Sequence, residues 1–205
     1  MTFENIEWLF FDVGSTLVDE SEVYVDRINK IAKAAGKTHD EVYKKSIEFY
    51  RKGLKGDLET AAFYGVPLPK WQPQYENPYP AAAEVLEKLG GRYKLGVIAN
   101  QSLGTADRLK KYGLLEYFSL VVASAEEGVA KPDRRIFDIA LERSGCKPEN
   151  AVMIGDRVDN DILPAKAVGM KTVLVGQGLS SLSEEKYQDR DAYVSSIEEL
   201  PDLLM

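Results

Sequence analysis

Five short apolar runs punctuate the chain: Trp8 to Phe11, Leu95 to Ala99, Leu120 to Ala123, Ala151 to Ile154 and Thr172 to Val175. Each is nearly continuous rather than alternating, the pattern of a strand covered on both faces in a parallel sheet. Helical spacing fills the intervals between the last four. Leu103 to Tyr112, Arg134 to Arg143 and Asp161 to Val168 place apolar residues three and four apart, and Gly113, Gly145 and Gly169 follow as stop signals. Strand and helix in alternation predict an α/β fold built on a doubly wound parallel sheet.

The stretch from Val18 to Tyr79 breaks this rhythm. Glu22 to Ala35 and Asp40 to Lys52 read as helices, the second opened by the capping-box pair Thr38 and Glu41, and Asp57 to Tyr64 reads as a shorter third. Pro67, Pro69, Pro73 and Pro78 then exclude regular helix or a central strand between Tyr64 and Tyr79. A helical module, residues 18–79, is expected to interrupt a core made of residues 1–17 and 80–205. Trp71 and Tyr75 are expected to pack between the two. At the far end, Ser196 and Glu199 repeat the capping-box spacing and predict a closing helix to Met205.

At 205 residues the chain suffices for one full core and a small second module. Its formal net charge of -7 argues against a nucleic-acid-binding surface, which needs clustered lysine and arginine. The apolar run near the N-terminus is too short for a signal or a membrane span, and no basic leader precedes it. A cytoplasmic protein with no nucleic-acid or membrane partner is therefore expected. The one cysteine, Cys146, excludes an internal disulfide and reads as a packed structural thiol at a helix end. The one histidine, His39, falls in the first turn of the second helix and is expected to face solvent. A histidine-rich metal site is thereby excluded, and a serine or cysteine triad lacks a good base. Chemistry has to rest on carboxylates, lysine and hydroxyls, with or without a metal ion.

In an open parallel sheet, ligands bind beyond the carboxyl ends of the strands. Asp12 follows the first run, Asn100 the second, Ser124 the third and Asp156 the fourth. Lys131 lies just past the third and Asp161 one turn beyond Asp156. These groups are expected to meet in one crevice, an anion-handling site with an acidic metal pocket. Blander roles compete residue by residue: Asp12 as a turn cap, Asp156 and Asp161 as acids at a helix start, Asn100 as a turn residue. Asp159, in the same loop, reads as solvated.

The phrases FFDVGSTL, LGVIANQS, GVAKPDRRIF and GDRVDNDILPAKAVGM resemble, in order, the four motifs of the haloacid dehalogenase superfamily. They run through the core from Trp8 to Gly176, and the helical insert stands where that family carries its cap. The resemblance implies a Rossmann-like core with a helical cap, and a magnesium-dependent hydrolase of phosphatase type acting on a small phosphorylated metabolite. It implies that Asp12 attacks phosphorus and forms an aspartyl-phosphate. Asp12, the Gly14 carbonyl and Asp156 would bind the magnesium, with Asp161 in support. Lys131 would balance the carboxylates and hold the phosphoryl group, Asn100 would hydrogen-bond its oxygens, and Thr16 would steady the loop beside it. A carboxylate approaching a phosphate dianion is repelled, which is why a divalent ion is needed between them.

Two positions depart from that pattern. The family's phosphatases show DxDGT, and Gly14 stands where their second aspartate protonates the leaving group and then activates water. The backbone carbonyl survives, but a proton-transfer group worth roughly 10²–10⁴-fold is missing. Ala99 stands where a serine or threonine commonly meets the phosphoryl oxygen. Three consequences stay open: substrates with activated leaving groups such as acyl or aryl phosphates, a replacement acid from the cap with Glu20 as first candidate, or a binding or regulatory protein without turnover. A phosphonate-cleaving branch would require a cap lysine, and nothing separates Lys30, Lys33, Lys44 or Lys45 from solvent-facing helix lysines.

Overall fold

The computed structural model describes residues 3–182 and 190–205. Among them, six strands form one parallel sheet: β1 (Trp8–Phe11), β2 (Lys94–Ala99), β3 (Leu120–Ala123), β4 (Ala151–Gly155), β5 (Lys171–Val175) and β6 (Ala192–Val194). They lie side by side in the order β3-β2-β1-β4-β5-β6. The first five coincide with the apolar runs to within one residue. The sixth goes beyond the expectation: three residues are too few to show a period, and β6 pairs only at the sheet edge, with β5.

The chain leaves the core just after β1. Val18–Asp19 and Asn77–Pro78 form a two-residue antiparallel ribbon, so the outgoing and returning segments run together. Beyond it lie α1 (Ser21–Ala35), α2 (His39–Arg51) and α3 (Gly56–Phe63), which bury Ile28, Ile31, Ala32, Val42 and Ala61 against one another. The predicted capping box of α2 is closed in both directions. Thr38 Oγ1 accepts from the Glu41 N–H at 3.2 Å, and the Glu41 carboxylate accepts from the Thr38 N–H at 2.9 Å. His39 is exposed on the first turn, as its position predicts.

Alternation along each strand sorts the core into two layers. Leu9, Phe11, Val97, Val152, Ile154 and Val173 pack toward α4 (Ala82–Gly90), α5 (Thr105–Lys111) and α8 (Leu200–Leu204). Trp8, Phe10, Ile98, Val122 and Met153 pack toward α6 (Arg134–Ser144) and α7 (Leu163–Ala167). Helices on both faces of a parallel sheet make the fold doubly wound, and its strand order is the Rossmann one. The proline-rich return leaves α4 unread in the sequence, although Ala82, Val85, Leu86 and Leu89 bury one face at helical spacing. The closing capping box is a correction. Ser196 Oγ accepts from the Glu198 N–H at 3.2 Å, while the Glu199 carboxylate takes the Ser195 hydroxyl. With the neighbouring serine competing for that acid, a 3-10 turn forms first and α8 starts at Leu200. Among the described residues no helix is long and apolar enough to cross a membrane.

Candidate active site

Strand β1 sits where the chain's winding reverses, with β2 and β3 on one side and β4 to β6 on the other. Adjacent loops diverge at such a point and open a crevice at the carboxyl ends of the strands. Asp12 leaves the end of β1, its N–H donating to the Ile154 carbonyl at 2.8 Å, between Asn100 after β2 and Asp156 after β4. The chain then turns sharply. Leu17 and Val18 both donate to the Val13 carbonyl, at 2.9 and 3.0 Å, and Ser15 donates to Val18 at 2.8 Å. Ser15 pays for the turn with a φ of 55°, a region that disfavours residues bearing a Cβ.

Lys131 lies at the centre. Its ammonium meets Asp12 Oδ1 at 2.8 Å, Asp161 Oδ1 at 2.5 Å and the Ile98 carbonyl at 2.9 Å, which uses all three protons. Burial by itself would lower this lysine's pKa. The carboxylates of Asp12 and Asp161 outweigh that and hold it above its ordinary value. Asn100 fixes the lysine's main chain, accepting from the Lys131 N–H at 2.7 Å and donating to its carbonyl at 2.8 Å. Ser124 ties the loop after β2 to the end of β3 by accepting from the Gln101 N–H at 3.1 Å.

Asp161 is fully buried, and its second oxygen accepts from the Arg157 N–H at 3.0 Å. It is brought inward by a π-helical turn, Val158–Ile162, that precedes α7 where an ordinary helix start was expected. Gly155 leaves it room, since a Cβ there would fall 2.5 Å from Asp161 Cγ. Asp159 in the same turn faces outward and pairs with Arg157 at 2.7 Å. Asp156 is buried and accepts from the Ser180 hydroxyl. Burial first, then repulsion from Asp161 and Asp12, pushes its carboxyl well above the usual range. Oxygens of Asp12, Asp156 and Asp161 lie within 4.8 Å of one another. Three clustered carboxylates with one ammonium among them leave a negative excess in hard oxygen donors, which fits a magnesium ion.

Thr16 departs from expectation. It is fully buried, its hydroxyl has no hydrogen-bond partner among the described residues and it is absent from the cavity wall. Backbone bonds to Val13 and Val18 steady the loop instead, because the turn is tight enough to close on itself.

A cavity of about 590 Å³ separates these groups from the helical insert. On the insert side it is walled by Glu20, Tyr24, Arg27 and Trp71. Arg27 is ion-paired with the buried Asp57 and lies 4.6 Å from the Trp71 ring centre. The Trp71 indole N–H donates to Glu76, which also accepts from the Tyr112 hydroxyl of the core at 2.8 Å. Trp71 is thus held between insert and core. Tyr75 is not: it is 39% exposed, carried outward by a short 3-10 turn that begins at Pro73. Lys30, Lys33, Lys44 and Lys45 are absent from the wall, and the insert lysine that does line it is Lys55. Cys146 is buried, its thiol pushed up to about 11 by desolvation, which makes it a structural residue.

Glu20 is buried beside Gly14. A Cβ added to Gly14 would lie 2.8 Å from Glu20 Cδ, so the carboxylate fills the volume that a side chain at position 14 would need. Its Oε2 accepts from the Ser15 hydroxyl at 3.2 Å and the Tyr24 hydroxyl at 3.4 Å. Burial, then the charges of Asp12 and Glu76, push its pKa up to about 8. Sequence reasoning could reach Glu20 as an acid at the insert's entrance. Ser180 and the Arg27–Asp57 pair carry no local signal, since their partners lie far along the chain, and Glu76 is tied to the core by Tyr112, likewise distant in sequence.

Comparison with known proteins follows the same lines. The family described as haloacid dehalogenase-like hydrolase matches residues 9–175. Glyceraldehyde 3-phosphate phosphatase of Methanothermobacter thermautotrophicus is 36% identical over 129 residues, covering 62% of this chain and 57% of that protein. The chain therefore spans little more than half the length of that relative. The Pyrococcus furiosus protein of the same name is 31% identical, covering 97% of this chain and 92% of its own. The crystal structure of a HAD phosphatase from Thermococcus onnurineus superposes with a TM-score of 0.66 at 24% identity, over 96% of this chain and 97% of that one.

Proposed function

The chain belongs to the haloacid dehalogenase-like hydrolases, and we propose that it hydrolyses a small phosphorylated metabolite through an aspartyl-phosphate on Asp12. The observation that carries this reading is the placement of Asp12 at the end of the central strand, clamped by the buried Lys131 and open to the cavity. Lys131 keeps Oδ1 engaged and leaves Oδ2 for attack on phosphorus. Its fixed positive charge lies where phosphoryl oxygens would gather, and a preorganised charge in a dry site stabilises developing negative charge without reorganisation. Asn100 orients Lys131 and keeps one amide proton for a phosphoryl oxygen. Asp12, the Gly14 carbonyl and Asp156 would hold magnesium, with Asp161 behind them, and the ion when bound offsets the repulsion between carboxylate and phosphate. Residues 18–79 act as a cap that covers the cavity and selects the substrate.

The cavity's size suits a small metabolite. The names of the relatives make glyceraldehyde 3-phosphate the first compound to try, beside para-nitrophenyl phosphate and acetyl phosphate. Each is to be assayed for phosphate release with and without magnesium, using the parent and Asp12→Asn. Release that needs magnesium and vanishes in Asp12→Asn is expected. If none of these is turned over, and the variant binds phosphate as the parent does, the chain is a binding protein rather than a hydrolase.

A further inference from the structure

Cleavage of a phosphate ester needs a proton on the departing oxygen, and hydrolysis of the resulting acyl phosphate needs a base for water. Asp12 is the nucleophile, and Asp156 and Asp161 belong to the metal cluster. Asp57 is held by Arg27, and Glu76 is occupied by Trp71 and Tyr112. Lys131 has all three protons committed. Glu20 differs from all of these. Both of its hydrogen bonds, from Ser15 and Tyr24, go to Oε2, and among the described residues Oε1 has no hydrogen-bond partner. Oε1 is also the atom that crowds the empty side-chain position of Gly14, two residues from the nucleophile. One oxygen is anchored by two hydroxyls, the other lies over Gly14, and the residue lines the cavity.

We propose that Glu20, entering from the cap over Gly14, carries the proton in both half-reactions; this rests on the hydrolase reading above. In the first half, Asp12 Oδ2 bonds to phosphorus, the bond from phosphorus to the leaving oxygen breaks, and that oxygen takes the proton of the Glu20 carboxyl. In the second, the Glu20 carboxylate takes a proton from water as the water oxygen bonds to phosphorus. The Asp12–phosphorus bond then breaks, releasing inorganic phosphate and restoring both acids. Gly14 is accordingly required, because any side chain there would displace Glu20.

The test is the kinetics of Glu20→Gln on para-nitrophenyl phosphate and phenyl phosphate, which differ in leaving group and little in shape. Nitrophenolate departs without a proton, so the variant should release about one equivalent per enzyme in a burst. It should then turn over roughly 10²–10⁴-fold more slowly than the parent. Phenyl phosphate should give no burst. Mass spectrometry should find one phosphoryl group on the stalled variant. Moving the acid back, in Gly14→Asp with Glu20→Ala, should recover steady-state turnover relative to Glu20→Ala alone. Glu20→Gln turning over within about tenfold of the parent would overturn the proposal while leaving the hydrolase reading intact. Equal loss of burst and turnover, with no recovery in the relocated variant, would overturn it in the same way. A parent that cleaves neither compound in an Asp12-dependent manner overturns both.

Discussion

Lys131 shows how much one side chain can be asked to hold. It lies buried between two carboxylates, and Asn100 clamps its backbone from the neighbouring strand. Removing one member of a buried ion pair leaves the others uncompensated, at about 3–5 kcal/mol. Lys131→Met is therefore expected to lower the unfolding free energy by about that much in chelator-treated protein, read from urea denaturation, and to abolish phosphate release. A loss below about 1 kcal/mol would mean that the two aspartates find another cation or take up protons at little cost. Glycine carries a different lesson at this scale. In the sequence Gly14 looks like a deletion of function. In the fold it is the space that lets Glu20 approach; the sequence offers Glu20 only as a nearby acid, and the contact itself depends on where the ribbon sends the chain.

At the scale of elements, burial explains why the strands were legible. A strand covered on both faces must be apolar at every position, and such runs stand out without any partner being known. Helix α2 was legible because its capping box is local, and Thr38→Ala should cost about 1 kcal/mol. Gly96 in β2 is set by its neighbour instead. A Cβ there would lie 2.7 Å from the Phe10 ring, which is fully buried and stacked on Trp8 at 5.4 Å. Gly96→Ala should destabilise by about 1–3 kcal/mol, although alanine suits a strand better than glycine does. Urea denaturation of both variants should rank Gly96→Ala as the more damaging; the reverse order would show that Phe10 can move aside. What escaped the sequence at this scale was α4, masked by the proline-rich return before it, β6 at three residues, and a serine next to Ser196 that takes its capping acid.

At the scale of the whole molecule, the acidic pocket couples folding to its proposed ion. A ligand that binds only the folded state raises the unfolding midpoint. Magnesium should raise the thermal midpoint of the parent and leave that of Asp156→Asn unchanged. In chelator the variant should melt no lower than the parent, since it removes one of three crowded carboxylates while keeping the shape. An equal magnesium shift in both proteins would place the ion elsewhere. The sequence by itself determined the layered α/β plan, the interruption after β1 and the set of strand-end residues, because burial periodicity and capping are properties of neighbouring positions. Only the tertiary structure decided what those residues do to one another. It gave Asn100 to the backbone of Lys131, Ser180 to Asp156 and Glu20 to the space above Gly14, and it left the Thr16 hydroxyl without a partner among the described residues. The pairings of Asn100 with Lys131 and of Ser180 with Asp156 join positions far apart in the chain, while Glu20 reaches Gly14 over the turn after β1, and each is fixed only when the sheet's winding reverses at β1 and the helical insert folds back beside it.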